Sequence, residues 1–105
     1  MGVDPGLAST GVGMVESNGG RVRRYAFQVI RTSAKAPLPD RLDHIFSRMV
    51  DILAEEKPGI IAIEDVFFKP GSPKSGISLG KVIGVIMLAG RRCGAQVYEI
   101  PAREA

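Results

Sequence analysis

Residues 60–64 read Ile-Ile-Ala-Ile-Glu, four apolar residues followed by an acid. A run of this length is typical of a β-strand, and an unbroken apolar run is expected of a strand that a parallel sheet buries on both faces. The Lys-Pro-Gly at residues 57–59 stops the preceding element. Glu64 is therefore expected at the carboxyl end of a buried strand.

Upstream of this strand, apolar residues recur every three or four positions across residues 38–53, which predicts an amphipathic helix. Earlier still, apolar residues alternate through 12–16, and the Ser-Asn-Gly-Gly at 17–20 indicates a hairpin turn. Residues 21–30 are rich in β-branched and aromatic types, as strands are. With a short strand at Val3, the chain is expected to open as three antiparallel strands.

Downstream, a second helix is expected over residues 76–93. Arg91 and Arg92 would complement the helix dipole in its last turn, and Gly94 would cap it. A last strand follows at residues 95–100. The predicted order is β-β-β-α-β-α-β, which describes an α/β protein with a mixed sheet.

The segment between the apolar strand and the second helix, residues 65–76, collects prolines, glycines and two phenylalanines. This composition predicts a loop at the end of a strand, and such loops often carry function.

Composition indicates a globular protein, since 45% of the residues are hydrophobic and 24% are charged. A length of 105 residues predicts one domain over residues 1–105. The longest apolar or glycine run, residues 82–90, is too short to span a bilayer, and the N-terminus lacks the basic and apolar pattern of a signal peptide, so a cytoplasmic location is expected. Cys93 is the only cysteine, which excludes an internal disulfide and predicts a packing role.

The net charge of +3 is distributed unevenly. Residues 1–65 hold eight Lys or Arg and nine Asp or Glu, whereas residues 66–105 hold six and two. The basic residues of the second part are Lys69, Lys74, Lys81, Arg91, Arg92 and Arg103. A further basic cluster occupies residues 21–24. Basic clusters suit a polyanion such as DNA, although a solvated surface explains them equally well.

Asp4 and Glu64 are each isolated among apolar neighbours on strands that this topology would make adjacent. Two converging carboxylates repel one another unless a cation lies between them. Oxygen ligands in a chain with one cysteine and one histidine favour Mg²⁺ or Mn²⁺ over zinc. The alternative is structural: Asp4 caps the Pro5-Gly6 turn and Glu64 meets a surface lysine.

Gly76, Gly80 and Gly84 recur every fourth residue and would line one face of the second helix. Each helix-interior glycine costs up to about 1 kcal/mol relative to alanine, so a close contact is expected in compensation. Either the sheet beneath or the helix of a second subunit would supply it. His44 is expected to be a solvent-facing structural residue.

Residues 2–11, Gly-Val-Asp-Pro-Gly-Leu-Ala-Ser-Thr-Gly, resemble the opening of the RuvC endonucleases, in which an apolar strand leads into Asp-Pro-Gly and then Thr-Gly. Further blocks resemble the family in the same order and with similar spacing: Arg41-Leu42, Pro58, residues 62–67, residues 79–85 and Ile100-Pro101. The resemblance implies a ribonuclease-H-like fold and a homodimeric, metal-dependent endonuclease. Such an enzyme resolves four-way (Holliday) DNA junctions in recombination and repair by hydrolysing phosphodiester bonds in two symmetric strands, alongside the RuvA and RuvB branch-migration proteins.

The same resemblance implies that Asp4 and Glu64 are catalytic metal ligands, with two Mg²⁺ or Mn²⁺ ions about 4 Å apart in a complete site. Phe67 occupies the position of an aromatic residue that wedges against bases at the junction. Basic residues around it, Lys69, Lys74 and Lys81, are expected to contact DNA. The alternative for Phe67 is an ordinary core aromatic, and Phe68 receives no role.

The sequence departs from the family at its C-terminal end. In the family, the remaining catalytic carboxylates come from a last helix beyond the block that Pro101 resembles, after a lysine-bearing stretch, whereas this sequence stops at Ala105. It is therefore interpreted as C-terminally truncated, without the final helix, and expected to bind metal and junction DNA weakly without completing the cut. Glu99 and Glu104 are not expected to substitute for those carboxylates.

Two other functions remain open from the sequence. One is a catalytically silent module that binds junction DNA. The other is a nucleotide-binding relative of actin and hexokinase, because residues 4–11 also resemble the phosphate-holding hairpin of that class. The spacing to Glu64 and the Phe67 loop argue against a nucleotide-binding protein.

Overall fold

The computed structural model describes the backbone of residues 1–65 and 73–101, and the side chains of residues 1–65 and 76–101. The expected β-β-β-α-β-α-β order is confirmed. The elements are β1 (Gly2–Asp4), β2 (Ser9–Asn18), β3 (Arg21–Arg31), α1 (Leu38–Glu56), β4 (Ile60–Asp65), α2 (Pro73–Arg92) and β5 (Gln96–Pro101).

The five strands form one mixed sheet in the order β3-β2-β1-β4-β5. β1 pairs antiparallel with β2, and β2 pairs antiparallel with β3. β4 pairs parallel with β1 on one side and with β5 on the other. The strands that carry Asp4 and Glu64 are therefore neighbours, as the predicted topology requires.

The turn between β2 and β3 consists of Gly19 and Gly20, with φ angles of 60° and 81°. Two consecutive residues with positive φ define the tight turn that matches the twist of paired strands, and glycine takes this conformation without a steric cost. The predicted hairpin is confirmed, with β2 running on to Asn18.

Helix α1 matches its predicted extent. Pro39 lies in its first turn, where the N–H that proline lacks has no helical partner. Lys57 ends the helix in a left-handed conformation, φ 48°, and its N–H donates to the Leu53 carbonyl at 2.9 Å. Ile45 and Met49, one helical turn apart, are fully buried against the sheet.

Helix α2 begins at Pro73, three residues before the expected start. The sequence pattern placed the boundary at a glycine, whereas a proline is well suited to a first helical turn. Gly94 caps the other end with φ 88°, as expected, and the Ala95 N–H donates to the Gly90 carbonyl at 3.2 Å. Cys93 is exposed beside this cap, so the expected packing role is wrong.

Both helices pack on one face of the sheet, here called the helix-side face. Ile61 and Ile63 of β4 are fully buried there, whereas Ile60 is 55% exposed on the other side of the same strand. Within the described residues, the expectation that β4 is buried on both faces is therefore wrong. The uncovered side, here called the open face, also carries Phe27 and Tyr98, which are 69% and 51% exposed.

Among the described glycines of α2, the sheet closely approaches Gly90 and leaves Gly80 and Gly84 open. A Cβ on Gly80 or Gly84 would have no heavy atom of a neighbouring element within 4 Å, so in these two positions the sheet does not supply the predicted contact. A Cβ on Gly90 would instead lie 2.8 Å from the Val97 side chain and 2.9 Å from that of Ile61. Gly90 is the residue that allows α2 to approach the sheet.

Within the part of the chain that the structure describes, neither helix carries an apolar stretch long enough to cross a bilayer.

Candidate functional site

Asp4 and Glu64 are brought together by the parallel pairing of β1 with β4. Gly2 aligns with Ala62 and Val3 with Ile63, so the next position in this register places Asp4 beside Glu64. Val3 and Ile63 are buried on the helix-side face, and successive side chains of a strand point to opposite faces. Both carboxylates therefore project from the open face, at the carboxyl ends of their strands.

The two carboxylates line one cavity of about 580 Å³ on the open face. Its floor consists of small residues, Gly2, Gly11, Gly13 and Ala62. A Cβ on Gly11 would contact the Phe27 ring at 3.5 Å and the Asp4 Cβ at 3.8 Å. The small residues keep the space around the carboxylates open to a ligand.

The loop after Asp4 is held by a buried hydroxyl. Thr10 is fully buried, and its Oγ1 donates to the Gly6 carbonyl at 2.7 Å and accepts from the Gly6 N–H at 3.2 Å. A Cβ on Gly6 would collide with the Ser9 carbonyl oxygen, so only glycine fits there. Thr10 belongs to the Thr-Gly motif of the family resemblance, but the sequence did not reveal its role in the loop. A threonine among apolar residues on the buried side of β2 was the available signal.

A second hydroxyl ties the same loop to α1. Thr32 Oγ1 donates to the Leu7 carbonyl at 2.6 Å and accepts from Arg41 Nε at 2.8 Å. The Thr32 N–H donates to the Ala8 carbonyl at 3.0 Å. Arg41 thus supports the Asp4 loop through Thr32. The sequence marked Arg41 as part of a family block without assigning it this function.

The donor set of the cavity fits an oxygen-preferring divalent cation. In the described part of the chain, the carboxylates of Asp4 and Glu64 form no hydrogen bond and no ion pair; the two ion pairs there are Arg24–Glu56 and Arg48–Asp51. The alternative roles as a turn cap and a lysine partner thus receive no support from these residues. Free carboxylate oxygens are the ligands that Mg²⁺ and Mn²⁺ prefer.

The described residues bring two carboxylates together at this cavity. They contain no group of three or more His, Cys, Asp or Glu side chains arranged to hold a metal. Glu99 is excluded by register, because it aligns with Ile63 and so faces the helices, while Ile100 aligns with Glu64. The expectation that Glu99 does not complete the site agrees with this geometry. Glu104 lies outside the described residues.

The candidate DNA-contacting residues lie partly outside the described part of the chain. Phe67, Phe68 and Lys69 lie outside the described residues, and so does the side chain of Lys74. Lys81 is exposed on α2, and His44 is exposed on α1 as expected.

Elsewhere, one pair of residues connects β3 to the end of α1. Arg24 donates from both terminal nitrogens to the Glu56 carboxylate, with Nη1 to Oε2 at 2.8 Å. This hydrogen bond holds the pKa of Glu56 below its usual value and raises the pKa of Arg24. The pair joins two elements of the scaffold and belongs to no described cavity.

Comparison with known proteins assigns this architecture to a family. The family model "Crossover junction endodeoxyribonuclease RuvC" matches residues 1–105. The RuvC protein of Desulfitobacterium hafniense is 35% identical over 99 residues, which cover 94% of this chain and 59% of that protein. The RuvC protein of Sphingopyxis alaskensis is 36% identical over 103 residues, which cover 98% and 65%. The chain thus spans less than two thirds of the length of these relatives.

Solved structures agree with this assignment. Thermus thermophilus RuvC in complex with a Holliday junction substrate superimposes with a TM-score of 0.83 at 26% identity, covering 95% of this chain and 62% of that one. The yeast mitochondrial Holliday junction resolvase Ydc2 superimposes with a TM-score of 0.65 at 10% identity, which supports the fold alone. The chain therefore belongs to the RuvC family of crossover junction endodeoxyribonucleases and has their ribonuclease-H-like fold.

Proposed function

We propose that this chain carries the core of a metal-dependent endonuclease site that acts on four-way DNA junctions. The observation that supports the proposal is the placement of Asp4 and Glu64 side by side on the open face, in a member of the RuvC family. A matched structure from that family is a complex with Holliday junction substrate. The reaction would be hydrolysis of a phosphodiester bond in each of two symmetric strands.

Asp4 and Glu64 would hold Mg²⁺, with Mn²⁺ as a substitute and two ions in a complete site. When bound, such ions lower the pKa of a coordinated water and offset charge on the leaving oxygen. The protein's part is positional: paired strands orient both carboxylates, and Thr10 holds the loop that follows Asp4. Because the described residues bring only two carboxylates together, we expect this chain to bind metal and junction DNA weakly without completing the cut.

Contacts with DNA are proposed for the basic segment that follows β4. Phe67 is the candidate wedge at the junction, and Lys69, Lys74 and Lys81 are candidate phosphate contacts. Lys81 is exposed and so available for this role.

A homodimer is proposed through α2. Gly80 and Gly84 leave open space beside the helix axis, and Ile77 and Leu88 on the same helix are 61% and 51% exposed. A second copy would cover these apolar side chains and offset the low helix propensity of the glycines. RuvA and RuvB remain proposed partners, and a cytoplasmic location stays a prediction.

The test is a nicking assay on a four-way junction with Mg²⁺, combined with Mn²⁺ titration of the free chain. Glu64→Gln and Asp4→Asn should each weaken metal binding and lower any cutting about 100-fold or more, since each removes a ligand. Asp65→Asn is the matched control: it neutralises the next residue of β4, which points to the helix-side face. Mn²⁺ affinity that is unchanged in Asp4→Asn, or wild-type cutting that this variant retains in full, would disprove the assigned site.

A further inference from the structure

A second polar cavity, of about 220 Å³, lies where β3 ends and α1 begins. Its polar lining consists of Arg31, Thr32, Ser33, Asp40, Arg41 and His44. The carboxyl end of β3 lies at the same end of the sheet as the start of β2 and the carboxyl end of β1. The cavity therefore opens at the end of the sheet where β1 ends with Asp4.

Both arginines of this cavity have side-chain N–H groups that make no hydrogen bond to the described residues. The described residues form only two ion pairs, and neither involves Arg31 or Arg41. Arg41 uses Nε to bond Thr32, and no bond from its terminal nitrogens is formed within the described part of the chain. A guanidinium presents its donors in a planar fork that matches the oxygens of a phosphate.

The cavity is mechanically connected to the loop that follows Asp4. Arg41 bonds Thr32, and Thr32 bonds the carbonyls of Leu7 and Ala8. These are backbone groups three and four residues beyond Asp4. An anion held by Arg41 would therefore have a defined position relative to the metal-ligand carboxylate.

We propose that this cavity binds one backbone phosphate of the DNA on which Asp4 and Glu64 act, with Arg31 and Arg41 as its ligands. The inference rests on the proposed function, because it supplies that site with a second point of attachment that sets the position of the strand. Phosphate contacts fix the register of a protein on DNA without reading its sequence. Asp40, in the same cavity, opposes the anion and moderates its binding.

The experiment measures binding of the full 105-residue chain to a fluorescent four-way junction and to a plain duplex by anisotropy, over a range of salt concentrations, with Ca²⁺ in place of Mg²⁺. Arg31→Gln should weaken binding of both DNAs about tenfold and reduce the slope of log affinity against log salt by about one. Arg41→Gln should do the same. Asp40→Asn should strengthen binding, a direction that loss of a purely structural contact does not produce.

Arg23→Gln is the matched control, because Arg23 is exposed on the same strand and lies eight residues away, on the order of 25 Å along an extended strand. Glu55→Gln, an exposed acid in the last turn of α1, is the control for Asp40→Asn. Thermal melting of each variant separates folding from binding. Since the Arg31 side chain is exposed and makes no hydrogen bond or ion pair within the described residues, Arg31→Gln should melt at the same temperature as the wild type.

The phosphate site would be overturned by equal losses in Arg31→Gln and Arg23→Gln, which would indicate diffuse electrostatics, or by no binding of either DNA by the wild-type chain. Wild-type affinity for inorganic phosphate that matches its affinity for duplex would assign the cavity to a free anion and reject the DNA contact. The duplex arm separates this inference from the proposed function. If junction preference and metal-dependent cutting fail while the Arg31 effect on duplex persists, the phosphate site stands and the junction activity does not.

Discussion

The helix-side face and the open face share the same five strands but differ in what their side chains do. On β4, Ile61 and Ile63 are fully buried under the helices, and the intervening and following residues, Ala62 and Glu64, line the cavity on the other side. On the helix-side face, burial of apolar side chains stabilises the sheet. On the open face, small residues and two carboxylates leave space for a ligand. One strand therefore serves stability and chemistry with alternate residues.

The largest expected effect comes from breaking this alternation at adjacent residues. Ile63→Ala should lower the free energy of unfolding by about 2–5 kcal/mol, because it leaves a cavity in the core. Glu64→Gln should change the same quantity by no more than about 0.5 kcal/mol, because the side chain is exposed. Urea denaturation of both variants measures the contrast. Similar losses in the two variants would contradict the division of the strand.

An intermediate effect is expected from adding a methyl group at two positions of α2. Gly90→Ala should destabilise the fold by about 1–3 kcal/mol, since the new Cβ would collide with Ile61 and Val97 of the helix-side face. Gly84→Ala should stabilise a single copy by up to about 1 kcal/mol, because that position is open and alanine favours helix.

Chemical denaturation and sedimentation of both variants make this comparison. The outcome that would contradict it is stabilisation by Gly90→Ala. A Gly84→Ala chain that dimerises as well as the wild type would exclude this position from the proposed dimer contact.

The smallest effect is expected from the Arg24–Glu56 pair, which lies at the surface of the scaffold. Because the pKa of Glu56 is lowered in the folded state, the pair contributes stability above the ordinary glutamate value of 4.5 and loses it as the pH falls through the lowered pKa. Arg24→Gln should therefore melt below the wild type at pH 7, and the two melting temperatures should converge in acid. A difference that persists unchanged at low pH would show that the arginine stabilises by packing instead.

Much of the fold could be predicted because its signals are local. The Gly19-Gly20 turn, the Lys57 stop and the Gly94 cap depend on backbone conformation within a few residues, so the order of elements followed from them. The adjacency of Asp4 and Glu64 also followed, since parallel strands meet at their carboxyl ends. The pairing of these residues supported the family assignment before any contact was known.

The features that could not be predicted are contacts between distant segments. A glycine pattern on α2 indicates an unusual helix face, but whether the Cβ position is empty or crowded depends on how the helix sits on the sheet. The crowded position proved to be Gly90, whereas Gly80 and Gly84 are open. Thr32 and Arg41 were not recognised as a pair because their hydrogen bond joins the end of β3 to α1, and spacing does not encode side-chain direction.

The order of strands and helices, the family resemblance and the placement of Asp4 and Glu64 on adjacent strands could be read from the amino-acid sequence, because periodicity, turn residues and motif order are local properties of a chain. Three features needed the folded structure: which face of the sheet is covered, which hydroxyls hold the Asp4 loop, and the shared cavity of Arg31 and Arg41 at the end of the sheet where β1 ends with Asp4. These features arise from the relative placement of β3, α1 and the sheet, and packing sets that placement only when the whole chain has folded.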